Sequence, residues 1–104
     1  MEHHALPVGL EVRVAGATIV VAGELDVATA PMLTEAIGSI GHGPVVLDLG
    51  DVGFIDSSGL GAVVAAHQRL ADLGRSLSVA RRSSVVARVF DVSGVDAIIG
   101  SGED

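Results

Sequence analysis

Residues 45–74, VVLDLGDVGFIDSSGLGAVVAAHQRLADLG, decide the fold. Residues 45–49 are a nearly continuous apolar run, which predicts a central strand covered on both faces. Asp48 interrupts it, and a buried carboxylate there would need partners. At the other end Leu60, Val63, Val64, His67, Leu70 and Leu73 fall at i, i+3, i+4, i+7, i+10 and i+13, one stripe of an amphipathic helix. Gly74 supplies its C-terminal cap. The octapeptide FIDSSGLG, residues 54–61, stands where the strand passes into the helix. A short apolar run at residues 77–80 then predicts a second strand, so the segment reads as a parallel βαβ unit.

The flanking elements extend this pattern. Residues 10–14 alternate apolar and polar, and residues 18–22 form a β-branched run between Gly16 and Gly23, which together predict a hairpin. Pro31 suits a first helical turn. Met32, Leu33, Ala36, Ile37 and Ile40 recur at helical spacing until Gly41-His-Gly-Pro44 ends them. Ser83 or Ser84 can cap a last helix through Val85, Val86, Val89 and Phe90, which Gly94 stops. Residues 97–99, AII, predict a final strand. The predicted order is ββαβαβαβ: an α/β single domain over residues 1–104, with helices packed on a small, mixed, mostly parallel sheet. There is no repeat, linker or low-complexity segment.

Composition narrows the function. The 104 residues carry a net charge of −7, no Lys and 2% aromatics. A nucleic-acid binder needs a basic footprint and usually stacking aromatics, and this chain has neither, so no nucleic acid is expected. The acid is uneven. Glu2, Glu11, Glu24, Asp26, Glu35, Asp48, Asp51 and Asp56 share the first 56 residues with Arg13 alone, whereas the remainder is balanced. Cys is absent, which excludes disulfides and thiol chemistry. No apolar run reaches the ~20 residues of a membrane span, and residues 1–7 lack the pattern of a secretion signal. A cytoplasmic protein, away from any membrane, is the expectation.

Asp56, Ser57 and Ser58 all favour helix N-termini, because their oxygens accept from unpaired backbone N–H groups. Capping accounts for one of them. Gly59 and Gly61 each cost about 1 kcal/mol relative to Ala inside a helix. They allow another backbone to approach closely, whether a neighbouring strand or a partner protein. A nucleophilic serine would need a base, but His67 lies ten residues along the same helix, about 15 Å away. No G-x-S-x-G is present. The phosphate loop fails for want of Lys, and Val64 breaks G-x-G-x-x-G. His and Asp show no metal-ligand spacing. No cofactor, metal or catalytic residue is therefore expected. A covalent switch remains: a phosphoserine carries about −1.5 to −2 charges. At a helix N-terminus its own chain tolerates it, while a docked partner lacking a cation would not.

Four segments resemble the anti-sigma-factor antagonists, bacterial proteins built on the STAS domain. They are Gly23-Glu24-Leu25-Asp26, which resembles the family's G-E-L-D motif after the second strand, residues 45–49, residues 54–61 and Phe90-Asp-Val-Ser-Gly94. The resemblance spans essentially the whole chain. It implies a partner, an anti-sigma factor that is also a serine kinase, bound by the unphosphorylated protein so that a sigma factor is released. It implies phosphorylation on the serine after the motif's Asp, here Ser57, and reversal by a serine phosphatase. Glu24, Asp26, Asp56, Ser58, Gly59, Leu60 and Gly61 are the expected partner-binding residues, with Asp51 adding to an acidic rim. The alternative within the family is a module that senses a small ligand or nucleotide, or acts as a scaffold, without phosphorylation. The family usually carries one more helix after the last strand, whereas this sequence ends at residues 101–104, SGED.

Overall fold

Gly16 and Ala17 form a two-residue turn that joins β1 (Leu10–Ala15) to β2 (Thr18–Leu25) as an antiparallel hairpin, with Gly16 at φ +62°. In the computed structural model, which describes residues 9–99, there follow α1 (Ala30–Gly38), β3 (Val45–Ile55), α2 (Ser57–Asp72), β4 (Leu77–Arg82), α3 (Ser84–Ser93) and a short 3₁₀ turn (Val95–Ala97). The readings of residues 1–7 and 101–104 fall outside the described residues. The sheet runs β1-β2-β3-β4, antiparallel in its first pair and parallel in the other two. The mixed, mostly parallel sheet is as expected.

Two right-handed crossovers advance in the same direction across this sheet, so α1 and α2 cover the same face. Ile19, Val21, Val45, Leu47, Leu49, Leu77 and Val79 point into one core with Leu33, Ile37, Val63, Leu70, Val86 and Phe90. Residues between them on the strands, including Val20, Val46 and Asp48, are only half-buried. The expectation that residues 45–49 are covered on both faces is therefore corrected: among the described residues no helix lies on the second face. Asp48 sits there, accepting from the Gly50 N–H at 3.0 Å and pairing with Arg81 at 3.3 Å.

Both central strands outrun their apolar segments. β3 continues through Gly50 and Gly53 to Ile55, and β2 through Gly23 to Leu25. Register shifts between Val20 and Ala22 and between Gly23 and Glu24 accommodate the irregular residues. Gly23 lies at φ +115°, and a Cβ there would stand 2.2 Å from the Gly9 carbonyl oxygen. Glycine is therefore required for β1 and β2 to close at this point.

The ends of α2 and α3 follow the sequence, whereas α1 stops at Gly38, before Ile40. The Arg75 N–H reaches the Leu70 carbonyl at 2.8 Å and the Gly74 N–H the Ala71 carbonyl at 3.0 Å, a Schellman closure with Gly74 at φ +73°. The Arg75 guanidinium then donates to the Gly43 and Ile40 carbonyls, which fixes the α1–β3 loop. Of the two candidate caps for α3, Ser83 serves: its Oγ accepts from the Val86 N–H.

The predicted strand at residues 97–99 does not form. Gly94, in the left-handed region at φ +82°, turns the chain into the 3₁₀ turn. Val95 and Ile99 then reach the core four residues apart while Ile98 is 53% exposed. That spacing is helical, and the three-residue apolar run was too short to distinguish the two periods. Arg82 holds the turn, paired with Asp96 and lying over the Phe90 ring 5.0 Å from its centroid. The observed order is ββαβαβα.

Candidate functional site

The site assembles where β2 and β3 end side by side. Leu25 pairs with Ile55, and the Asp56 N–H donates to the Leu25 carbonyl at 3.3 Å. Asp26 and Asp56 thus leave the sheet together, one into the turn before α1 and the other into α2.

Asp56 is the N-cap of α2. Its backbone is extended (φ −115°, ψ −171°), and its Oδ1 accepts from the N–H groups of Ser58 at 2.9 Å and Gly59 at 3.0 Å. Two of the helix donors that a phosphate could use are therefore taken by a carboxylate. Ser57 is the first helical residue. It is exposed, and its hydroxyl makes no hydrogen bond among the described residues. Ser58 is half-buried behind it.

The two glycines of the motif separate. Gly59 is buried, and a Cβ on it would stand 2.3 Å from the Leu25 carbonyl oxygen and 2.8 Å from Leu25 Cγ. It lets α2 lie directly against the end of β2, which is a packing role and gives a partner no surface. Gly61 is exposed, and nothing lies within 4 Å of where its Cβ would be. Gly61→Ala is expected to stabilise the fold by up to about 1 kcal/mol, read as a higher midpoint in urea; unchanged or lower stability would show that the position is sterically occupied. Leu60 is half-buried against the core.

Asp26 is likewise engaged. Its Oδ1 accepts from the N–H groups of Ala28 at 3.0 Å and Thr29 at 3.1 Å. Thr29 closes the loop: its hydroxyl accepts from the Asp26 N–H at 3.0 Å and donates to the Glu24 carbonyl at 2.7 Å. Thr29 is the one buried polar residue described, at 7% exposure. In the sequence only the D-x-x-T spacing, a side-chain turn pattern, marks it.

Glu11, Glu24 and Asp51 lie on the strands themselves. Glu24 lies on β2 opposite Phe54. With Glu11, Asp51, Ala22, Gly23 and Gly53 they line a groove of about 480 Å³ that spans β1 to β3. Phe54 is 47% exposed in it, another residue to which no role was assigned from sequence. His67, on the stripe of α2, is half-buried, as a boundary histidine should be.

Residues 8–100 match the family model described as "Mlab, STAS domain". The chain belongs to the STAS domain family, among the anti-sigma-factor antagonists. This STAS domain is similar to the anti-sigma-B factor antagonist of Bacillus subtilis (strain 168), at 35% identity over 81 residues, 76% of this chain and 74% of the relative. It is also similar to that of Listeria monocytogenes, at 37% identity over 84 residues, 78% of this chain and 74% of the relative. Among solved structures it resembles an anti-sigma factor antagonist from Mycobacterium paratuberculosis, with TM-score 0.70 and 29% identity over 86% of this chain and 80% of that one. Its fold is also that of the antagonist SpoIIAA in its unphosphorylated form, with TM-score 0.69 and 22% identity, covering 88% of this chain and 85% of SpoIIAA. No described helix of the STAS domain is long and apolar enough to cross a membrane.

Proposed function

We propose that this STAS domain is a phosphorylation-controlled binding switch and not an enzyme. Unphosphorylated, it binds an anti-sigma factor that is also a serine kinase, so that a sigma factor is freed to direct transcription in the cytoplasm. Phosphorylation of Ser57 releases the partner, and a serine phosphatase restores binding. The relatives named as antagonists support the partner class. The observation that carries the mechanism is the placement of Ser57: exposed, with a free hydroxyl, on the first residue of α2 and next to the Asp56 carboxylate.

The chemistry follows from that placement. A hydroxyl presented at a helix start is accessible to a kinase without unfolding. Once phosphorylated, it adds about two negative charges beside Asp56, where no described cation is paired with them. The docking surface of this proposal comprises Glu24, Asp26, Asp56, Ser57, Ser58, Leu60 and Gly61, with Gly59 setting the angle of the helix from beneath. Its acidic character suits a basic patch on the kinase.

Incubation with the candidate anti-sigma kinase from the same genome and ATP tests the proposal. Mass spectrometry should find a single phosphate on Ser57, and Ser57→Ala should remove it while leaving partner binding intact. Phosphate at another residue, or none with a kinase that binds the protein, would sink the mechanism and favour the sensing or scaffold reading.

A further inference from the structure

The two edges of the sheet differ. At β4 the register with β3 slips from Leu47↔Val79 to Asp48↔Arg81, so Ala80 is bulged and that edge is irregular. A bulge protects an edge from pairing with another chain. At the opposite edge β1 runs in unbroken register with β2 from Leu10↔Gly23 to Ala15↔Thr18. Among the described residues nothing pairs with its outer side.

The direction of each backbone group on β1 can be worked out. The Glu24 N–H donates to the Gly9 carbonyl at 2.7 Å, which makes Leu10↔Gly23 a non-hydrogen-bonded pair of the antiparallel ladder. By alternation Glu11, Arg13 and Ala15 exchange bonds with β2. Leu10, Val12 and Val14 direct their N–H and C=O groups outward. Val14 is 46% exposed, in keeping with an uncovered edge.

We propose that β1 is a self-complementary edge through which a second copy of this chain pairs, antiparallel, about a two-fold axis at Val12. In that register Val12 exchanges both bonds with the partner's Val12, Leu10 with the partner's Val14, and Val14 with the partner's Leu10. Every outward group on these three residues is used. Glu11 then stands opposite the partner's Arg13, and Arg13 opposite the partner's Glu11. These are non-hydrogen-bonded pairs, where side chains approach most closely, and opposite charges there attract. A two-fold centred on Leu10 or Val14 leaves Glu11 and Arg13 without each other. Charge on an edge strand normally discourages pairing, but this arrangement turns it into selection for the chain's own copy. The result is a continuous sheet with β1 strands at its centre. The interface is small, which places the dimer among weak, transient ones. The edge lies two strands from β3, which delivers Ser57, so pairing leaves the proposed switch free.

Sedimentation equilibrium of the full chain from about 10 μM to 1 mM tests this, the upper limit chosen for a weak interface. The expected result is a monomer–dimer equilibrium. Glu11→Arg and Arg13→Glu each place like charges opposite one another twice, and each should weaken self-association by about tenfold or more. The two variants mixed should pair with each other, because every contact between them is again of opposite sign. The double variant should recover the parent's behaviour. Val14→Pro removes an outward N–H that has no partner among the described residues and should abolish pairing; circular dichroism and the melting midpoint confirm that each variant is folded. A chain that stays monomeric throughout overturns the proposal. So does a dimer indifferent to both charge reversals, or one whose mixed variants fail to pair.

Discussion

Gly59→Ala is expected to lower stability by about 2 kcal/mol, although alanine is the better helix former. Helix propensity favours the substitution by about 1 kcal/mol. Against that, the new Cβ would stand 2.3 Å from the Leu25 oxygen and 2.9 Å from its carbonyl carbon. Neither atom can yield easily, because Leu25 ends β2 and its carbonyl also accepts from the Asp56 N–H. The helix itself must move, and forced overpacking of this kind costs about 3 kcal/mol. A net loss near 2 kcal/mol lowers the melting midpoint of a domain this size by roughly 8–16 °C. Gly61→Ala, two residues on, has the opposite predicted sign, so the pair separates close packing from helix propensity. A Gly59→Ala variant that melts with the parent would refute the close approach of α2 to β2.

Ser57→Asp is expected to weaken binding of the anti-sigma partner by a hundredfold or more while the protein stays folded. An acid in the first turn of a helix gains about 0.3–1 kcal/mol from the helix dipole. Here it also stands beside the Asp56 carboxylate, whose Oδ1 already occupies the Ser58 and Gly59 donors. The two terms are similar in size and opposite in sign, so the melting midpoint should hardly change. At a docked interface there is no such offset: enclosing an unpaired charge costs several kcal/mol, and ~3 kcal/mol already exceeds a hundredfold in affinity. Titration calorimetry with Ser57→Ala as the uncharged control measures the difference. Comparable affinities for the two variants would show that charge at Ser57 does not exclude the partner.

The site was partly legible because its decisive signals are local. An Asp-Ser-Ser run before an apolar helical stripe specifies a cap, so the start of α2 and the position of Ser57 could be read directly. The stripe itself was read one step off. Leu73 is exposed, while Gly59 and Ala66 are buried with Val63 and Leu70. Small residues carry little hydrophobic signal, so their burial did not show in the pattern. The acids illustrate a different loss. Asp26, Asp56, Glu24 and Asp51 look alike in the sequence, whereas the first two accept from backbone N–H groups in their own turns and the others line a groove with Glu11. Glu11 belongs to β1, distant in sequence, and only hairpin pairing brings it there.

The sequence by itself determined the order of strands and helices up to α3, the glycine and serine caps, and the exposed serine at the mouth of α2. Each of these depends on residues within a turn or two of one another. Tertiary structure alone decided that no described helix covers the second sheet face and that Gly59 serves β2. It also turned residues 95–99 inward as a helical turn instead of a strand. These outcomes depend on which distant backbone arrives alongside, and register and burial are settled only when the whole core closes.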